Sequence, residues 1–317
     1  MKKLIIAAAL AAVFGLAGCN LGTSGFGTIT IPGEPPPSHG DRIVIGPRDL
    51  DMGEVRVGGQ PQTFLMGSPP GEIGRLYNGS EDQRWVTISA GFWISETPVT
   101  QAQWVAVMGS NPSWGNSNPV GGDVQGRRPV TNVSWFDILV FANRLSEREG
   151  FTPAYMINGS TDPADWPPAM PINVNSQYFD VWDAVEIVPG SNGYRLPTDA
   201  QWEFAARAGT TTAFSDGTQD WTDEESLDRI GWFRFNSPGV TREVGLKEPN
   251  PWGLYDIHGN VREWVWDRHE SPLQNLRVVR GGSVSFLTWQ NARSASRSGM
   301  GAPMTEDQSL GFRLVRP

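Results

Sequence analysis

The sequence predicts an α+β domain with few helices, small antiparallel sheets and much irregular structure. The chain of 317 residues holds 37 Gly and 25 Pro, which favour turns and end regular elements early. Only three segments combine a helix start signal with apolar residues at helical spacing. The 14 Trp residues supply large, rigid side chains that can hold irregular chain in place.

Short runs of strand-forming residues open the folded part of the chain. They cover residues 42–45, 54–57, 63–66, 85–88 and 91–94. Each run is rich in β-branched, aromatic or other apolar residues, and turn-forming residues lie beside it. We therefore predict five short strands before the first helix.

Three helices have clear start signals. Thr100, Ser134 and Thr198 are each followed three residues later by Gln or Asp, a pattern of the capping-box type. Apolar residues then recur at helical spacing, and Gly150 and Gly209 are the predicted ends of the second and third helices. Residues 152–192 predict a long excursion with a hairpin. No helical periodicity of useful length follows Gly209, so the last third should consist of short strands and loops.

The amino terminus has the pattern of a bacterial lipoprotein signal. Lys2 and Lys3 precede an apolar stretch, and small residues lead to Cys19, which is the only cysteine of the chain. This pattern predicts a signal peptide over residues 1–18 and lipid attachment to the Cys19 thiol after cleavage. The alternative is an ordinary signal peptide in which the cysteine occurs by chance. Two or three acyl chains give stable membrane anchoring, whereas one chain does not.

The segment after Cys19 indicates where the domain is carried. Residues 19–41 are rich in Gly, Ser, Thr and Pro and are typical of a flexible tether. The tether leads to a folded domain over residues 42–317. Asn20 stands where an aspartate would signal retention in the inner membrane. We therefore expect a lipid-anchored protein of the cell envelope, in the outer membrane, with display at the cell surface as a further option.

Charge and cysteine content exclude several classes of function. Removal of Lys2 and Lys3 with the signal leaves 23 basic and 34 acidic side chains, a net charge of −11. An acidic surface disfavours nucleic acid, and no basic cluster with interleaved aromatics occurs. The folded part has no thiol, so it carries no disulfide scaffold and no cysteine-based metal site.

Seven separated motifs then identify a family. Together they resemble the formylglycine-generating-enzyme (sulfatase-modifying factor) family over residues 60–317. The resemblance implies a decorated variant of the C-type lectin fold, with two helices, small antiparallel sheets and much irregular chain. The motifs are FLMGS at 64–68, TPVT at 97–100, RPVTNVSW at 128–135, YRLPTDAQWE at 194–203, GLYDIHGNVREW at 253–264, RGGS at 280–283 and GFRL at 311–314.

The chemistry of the family's enzymes is missing from this chain. The family's oxidases hold copper with two cysteines in the segment after the RGGS motif, because soft thiolate selects cuprous ion. Residues 284–293 contain no cysteine. The related sulfoxide synthases use a histidine iron site, and this chain has only His39, His258 and His269. No P-loop or nucleophile motif occurs either. We therefore predict no catalytic residues, no copper, no iron and no nucleotide.

Acidic residues leave a structural metal as an option. The resemblance implies a structural calcium site built from the side chains of Asp256 and Glu263 and the backbone carbonyls of Gly259 and Val261. These are the hard oxygen ligands that calcium prefers. The alternative is that both carboxylates accept local backbone or arginine hydrogen bonds. The acidic cluster at residues 220–228 indicates a solvated loop or a helix N-terminus rather than an acid/base pair.

The last forty residues alternate between two kinds of sequence. Framework motifs, among them RGGS and GFRL, are separated by residues without strand or helix periodicity. Residues 277–317 resemble the variable region of retroelement-diversified proteins, a group that includes lipoproteins of treponemes. The resemblance implies an exposed ligand-binding face. Its predicted members are Val284, Ser285, Phe286, Leu287, Trp289, Gln290, Ser296, Ser298 and Met300.

Three classes of function follow from these patterns. The first is a non-catalytic ligand-binding lipoprotein, a monomer whose partner is a protein in preference to a glycan. The second is an enzyme of the family or a carboxylate-based hydrolase, and the third is an inert component of an envelope complex. Two simpler alternatives also stand: Phe286 and Trp289 are core residues, or the chain is an ordinary non-catalytic family member.

Overall fold

Two four-stranded sheets and two two-stranded sheets lie among five short helices in the described part of the chain. A computed structural model describes residues 42–43, 52–76, 79–113, 122–168, 179–220, 223–237, 239–270, 275–285, 289–297 and 299–317. The predicted signal segment and the whole predicted tether, including Cys19, lie outside these residues.

The strands are short, as the sequence predicts. The five runs predicted before the first helix all form strands, with ends shifted by no more than two residues. In chain order the strands are β1 (Arg42–Ile43), β2 (Glu54–Val57), β3 (Gln62–Met66), β4 (Arg84–Ile88), β5 (Phe92–Ser95), β6 (Tyr155–Met156), β7 (Glu186–Ile187), β8 (Arg262–Arg268), β9 (Arg277–Arg280), β10 (Gly299–Gly301), β11 (Leu310–Phe312) and β12 (Val315–Arg316).

The sheets join distant parts of the chain. One has the order β1-β2-β5-β12, so the carboxy-terminal strand completes a sheet that the amino-terminal strands begin. The other has the order β10-β9-β8-β11, and β11 runs parallel to β8. This parallel pair departs from the purely antiparallel sheets that were expected. The pairs β3-β4 and β6-β7 form the two small sheets, and the second of these lies in the predicted excursion.

Five α-helices occur in the described residues. They are α1 (Gln101–Met108), α2 (Trp135–Arg148), α3 (Phe179–Asp183), α4 (Asp199–Arg207) and α5 (Glu224–Ile230). The three predicted starts are confirmed, since Thr100, Ser134 and Thr198 each form a reciprocal capping box.

Two of the five helices were not predicted. The expectation that no helix follows Gly209 is wrong, because α5 forms there. Its seven residues complete about two turns, too few to show a clear period in the sequence. Asp223 caps it and two glutamates occupy its first turn, so the acidic cluster marks a helix N-terminus.

Aromatic residues build most of the core. Trp104 of α1 stacks on Phe141 of α2 with ring centroids 5.0 Å apart, and Phe312 of β11 meets the edges of both. A second cluster lies around Trp202 of α4 and the sheet residues beside it. A third, smaller cluster contains Phe214, Leu227, Ile230, Phe233 and Trp289, with two alanines. No helix among the described residues is both long and apolar enough to cross a membrane.

Candidate ligand-binding site

Arg280 fixes the start of the carboxy-terminal region to α4. Its fully buried guanidinium donates to the carboxylates of Asp199 and Glu203, both on α4. It also donates to the carbonyl oxygens of Ser294 and Ser296, at 3.3 and 3.0 Å. Burial alone lowers the pKa of Arg280, but the two carboxylates hold it above its ordinary value. A single side chain thus joins the RGGS motif, α4 and the segment that returns at residue 294.

Arg293 makes a similar connection to the amino-terminal half. All five of its N–H groups have acceptors: two oxygens of Glu81 at 2.9 Å, Glu72 at 2.5 Å, and the carbonyls of Gly74 and Gln290. A buried guanidinium is tolerated only when its donors are satisfied in this way. Arg293 therefore defines where the chain must lie immediately after residues 284–292.

Two further arginines complete the framework. Arg297 reaches Asp199 Oδ2 at 3.0 Å and donates to the carbonyl of Ser80. Arg313 donates to both carboxylate oxygens of Glu263, at 2.7 and 2.8 Å. With Arg280 and Arg293 they form what we call the arginine framework. Its four members lie between residues 280 and 313, and their carboxylate partners lie in earlier parts of the chain.

The RGGS motif also requires a close backbone approach. Gly282 has a φ of +70°, and a Cβ at this position would lie 2.8 Å from the Cβ of Ala292. Glycine therefore allows the two ends of residues 282–292 to approach each other.

His258 links the same segment to a neighbouring loop. Its Nδ1 donates to the carbonyl of Ala292 at 2.7 Å, and its Nε2 accepts from the backbone N–H of Ser215 at 3.1 Å. Burial lowers the pKa of His258 to about 4, so the ring is neutral at pH 7. The Ser215 hydroxyl lies 2.9 Å from Nε2, but Ser215 is buried. This Ser–His pair has the geometry of a structural link, because substrate cannot reach a buried hydroxyl.

Three members of the predicted binding face are not exposed. Val284, Trp289 and Ser296 are 0, 4 and 1% exposed, so the prediction that they form a solvent-facing surface is wrong. Trp289 packs in the third cluster with its ring centroid 3.7 Å from that of Phe233. Ser296 lies where its carbonyl meets Arg280. The simpler alternative of a core position is therefore correct for Trp289.

The remaining members divide into two groups. Ser285 and Gln290 are partly exposed, as a binding role requires. Phe286, Leu287 and Ser298 lie outside the described residues. Met300 lies in β10, but its side chain is outside the described part.

Phe235 is an exposed aromatic residue that the sequence reasoning missed. It is 48% exposed, and its ring centroid lies 4.3 Å from that of Trp289. Phe235 and Gln290 thus flank Trp289, and we call these three residues the aromatic face. The signal was present in the run Trp232-Phe233-Arg234-Phe235, which places three aromatics within four residues outside any predicted strand. An exposed Phe beside a buried Trp is the arrangement of a surface anchor.

The predicted calcium ligands are engaged by protein donors. Asp256 accepts from the backbone N–H of Gly245 at 2.7 Å and from the side chain of Asn260 at 3.2 Å. Burial raises its pKa to about 6. Both oxygens of Glu263 accept from Arg313, and one also accepts from Trp202 Nε1 at 2.7 Å.

These contacts favour the alternative to a calcium site. An ion at Glu263 would share its oxygens with the buried Arg313 guanidinium, which already donates to both of them. The carbonyls of Gly259 and Val261 could add only neutral ligands. That Asp256, Gly259, Val261 and Glu263 hold calcium stays a prediction, and the internal hydrogen bonds of both carboxylates favour the alternative.

Comparison with known proteins now decides the family. The profile of the sulfatase-modifying factor enzyme 1-like domain matches residues 53–317. The chain belongs to this family. It is similar to the chaperone protein LppX of Paenibacillus barcinonensis, with 32% identity over 251 residues, which cover 73% of this chain and 81% of that protein.

Two other similarities bear on catalysis. The chain is 30% identical over 148 residues to the inactive C-alpha-formylglycine-generating enzyme 2 of Bos taurus, covering 42% of this chain and 48% of that protein. Its fold matches that of Treponema denticola variable protein 1 with a TM-score of 0.68 and 31% identity, over 87% of this chain and 99% of that one. Formylglycine-generating enzymes are also among the relatives of this family member. The inactive and variable relatives are compatible with a domain that binds without catalysis.

Proposed function

We propose that this chain is a non-catalytic ligand-binding lipoprotein whose contact surface is the aromatic face together with the neighbouring Ser285. The domain would be held on the outer membrane through lipid at Cys19, with residues 19–41 as a tether. The proposal includes diversification of the carboxy-terminal segment, which the fold similarity to a variable protein supports.

The arginine framework is the observation that carries this proposal. Arg280 and Arg293 stand at the two ends of residues 281–292, and both are buried in ion pairs with other parts of the chain. Because the ends are fixed by contacts that do not involve the side chains of Ser285 and Gln290, these partly exposed side chains can change without moving the scaffold. A scaffold of this kind suits a surface that is selected for binding.

The exposed groups favour a protein ligand. Phe235 supplies a large apolar contact whose position is set by Trp289 beneath it. Gln290 and Ser285 supply hydrogen-bonding groups that can adapt to a partner. An aromatic anchor surrounded by adaptable polar groups is typical of protein interfaces.

Binding arrays with matched variants test the proposal. The purified chain is probed against an array of extracellular proteins and an array of glycans, alongside Phe235→Ala and Gln290→Ala. Trp85→Ala is the control, because Trp85 is 71% exposed and lies on β4 outside the aromatic face. We expect a protein ligand whose binding falls on the order of 2 kcal/mol with Phe235→Ala and is unchanged by the control. The proposal fails if neither array yields a ligand. It also fails if Phe235→Ala and the control Trp85→Ala lose binding equally.

Diversification has its own test. We expect a near-copy of the coding segment for residues 277–317 beside a reverse-transcriptase gene, differing at adenines. If no such template exists, the chain is a binding protein of fixed specificity.

A further inference from the structure

A cleft lies at the junction of the β4–β5 turn with the first turn of α4. Its volume is about 370 Å³, and none of its lining residues belongs to the aromatic face. Ser89, Ala90 and Gly91 line one wall, while Arg195 and Gln201 line the other. This volume lies at the lower end of the range for small-molecule sites.

Arg195 presents part of its guanidinium to this cleft. Its backbone is fixed by two hydrogen bonds to Val315, at 2.7 and 2.8 Å. Its Nη1 donates to the carbonyl of Leu196 at 3.0 Å and to Gln201 Oε1 at 2.9 Å. Both Nη1 hydrogens are therefore used. The Nε and Nη2 atoms have no protein acceptor among the described residues, and they are not sealed from solvent. These two atoms form the edge of the guanidinium that matches a carboxylate.

Gln201 offers a second oriented donor. Its Oε1 accepts from Arg195 Nη1 and from the backbone N–H of Thr198, at 2.9 and 3.1 Å. Two donors on the oxygen determine which way the amide faces, so Nε2 is the end left over. Nε2 has no protein acceptor among the described residues.

The charge of Arg195 is only partly balanced within the described structure, by the attraction of the Asp267 carboxylate and without an ion pair. No lining side chain is acidic. No carboxylate of a described residue, including that of Pro317, forms an ion pair with Arg195, although the four framework arginines all have carboxylate partners. Burial lowers the pKa of Arg195 below its ordinary value. A partly buried guanidinium without an ion-pair partner gains from an anion that enters the cleft.

We propose that this cleft binds the carboxylate group of a small organic acid. The two carboxylate oxygens accept from Arg195 Nε and Nη2, and one of them also accepts from Gln201 Nε2. The short apolar part of the ligand lies against Ile88, Phe92 and Ala200, and Thr87, Thr198 and Pro317 complete the lining. The proposal is independent of the aromatic face and of the function assigned to it.

Ligand-observed NMR titration of the purified chain with propionate tests this site. Propionamide, which has the same shape without the charge, and inorganic phosphate are the comparison probes. We expect propionate to bind and propionamide to bind at least tenfold more weakly, because the amide lacks the charge. Phosphate should bind more weakly than propionate, because it lacks the apolar part that contacts the lining. Arg195→Gln should weaken propionate binding at least tenfold.

A second variant covers the structural role of Arg195. Ser89→Asp places a carboxylate on the exposed wall of the cleft without touching the contacts of Arg195, and it should also weaken propionate binding at least tenfold. Arg84→Gln removes an exposed arginine outside the lining and should leave binding unchanged. The proposal is overturned if propionate does not bind, if propionamide or phosphate binds as well as propionate, or if Ser89→Asp binds propionate like the unaltered chain.

Discussion

Arg293 donates from Nη1 and Nη2 to the two carboxylate oxygens of Glu81, at 2.9 Å each, across 212 residues of sequence. Both side chains are fully buried. The pair joins the carboxy-terminal segment to a loop that precedes β4. Removal of either partner leaves a buried charge without a counter-charge. The pair therefore fixes the position of the carboxy-terminal segment, even though its net contribution to stability is small.

Arg293→Met should therefore destabilise the domain strongly. Glu81 and Glu72 would lose their buried partner, and breaking such a pair costs about 3–5 kcal/mol. Urea unfolding measures this loss. Arg229→Met is the control, since Arg229 and Glu248 form an exposed pair, and it should cost less than about 1 kcal/mol. Equal losses in the two variants would contradict the role given to the arginine framework.

Trp289 and Gln290 are neighbours with opposite expected roles. Trp289→Ala removes a buried ring from the third cluster and should destabilise the domain by about 3–5 kcal/mol. Gln290→Ala alters a partly exposed side chain and should change stability by no more than about 0.5 kcal/mol. Thermal unfolding of both variants checks the assignment. If Trp289→Ala left the stability unchanged, the assignment of Trp289 to the core would be wrong.

His258 should make stability depend on pH in a defined window. Its pKa is about 4 in the folded chain and about 6.5 when unfolded. Between these values the unfolded chain binds a proton that the folded chain does not. The contribution of His258 is therefore complete above pH 6.5 and falls by about 3 kcal/mol as the pH drops to 4.

Comparison with His258→Gln isolates this effect. Burial raises the pKa of Glu54 to about 7 and that of Asp256 to about 6, and these groups gain stability on acidification. Subtracting the stability of His258→Gln from that of the unaltered chain at each pH removes their contribution. The difference should shrink between pH 6.5 and 4, and a constant difference would show that the ring is not buried in its neutral form.

Calcium should not stabilise this domain. An ion that binds only the folded state raises the unfolding free energy in proportion to the logarithm of its concentration. We expect the melting temperature to be the same in calcium and in a chelator. Glu263→Gln should be destabilising in both, because Arg313 would lose its counter-charge. A calcium-dependent rise in the melting temperature that Glu263→Gln abolishes would reinstate the metal site.

Cys19→Ser should release the protein from membranes. The thiol is the group that would carry the diacylglyceryl chain, and without acyl chains no stable anchor remains. Fractionation of cells that express each form measures the distribution. Continued recovery of the variant with membranes would contradict lipid attachment at Cys19.

The starts of the three longer helices and the positions of the early strands were predictable because their signals are local. A capping box at Thr198 and the spacing of apolar residues after it lie within a few positions of each other. The fold was predictable from the family motifs, because the motifs and their order along the chain can be read directly from the sequence. The short helices α3 and α5 escaped prediction because five or seven residues contain too little periodic pattern.

By itself, then, the sequence determined the fold class, the family and the lack of any cysteine beyond Cys19. Only the tertiary structure decided which carboxy-terminal residues face solvent: Trp289 is buried by Phe233 and Phe235, which lie more than fifty positions earlier. It also decided that both carboxylate oxygens of Glu263 accept hydrogen bonds from Arg313. Burial and charge pairing depend on residues that are distant in the chain. A local sequence pattern does not show which of these residues come into contact on folding.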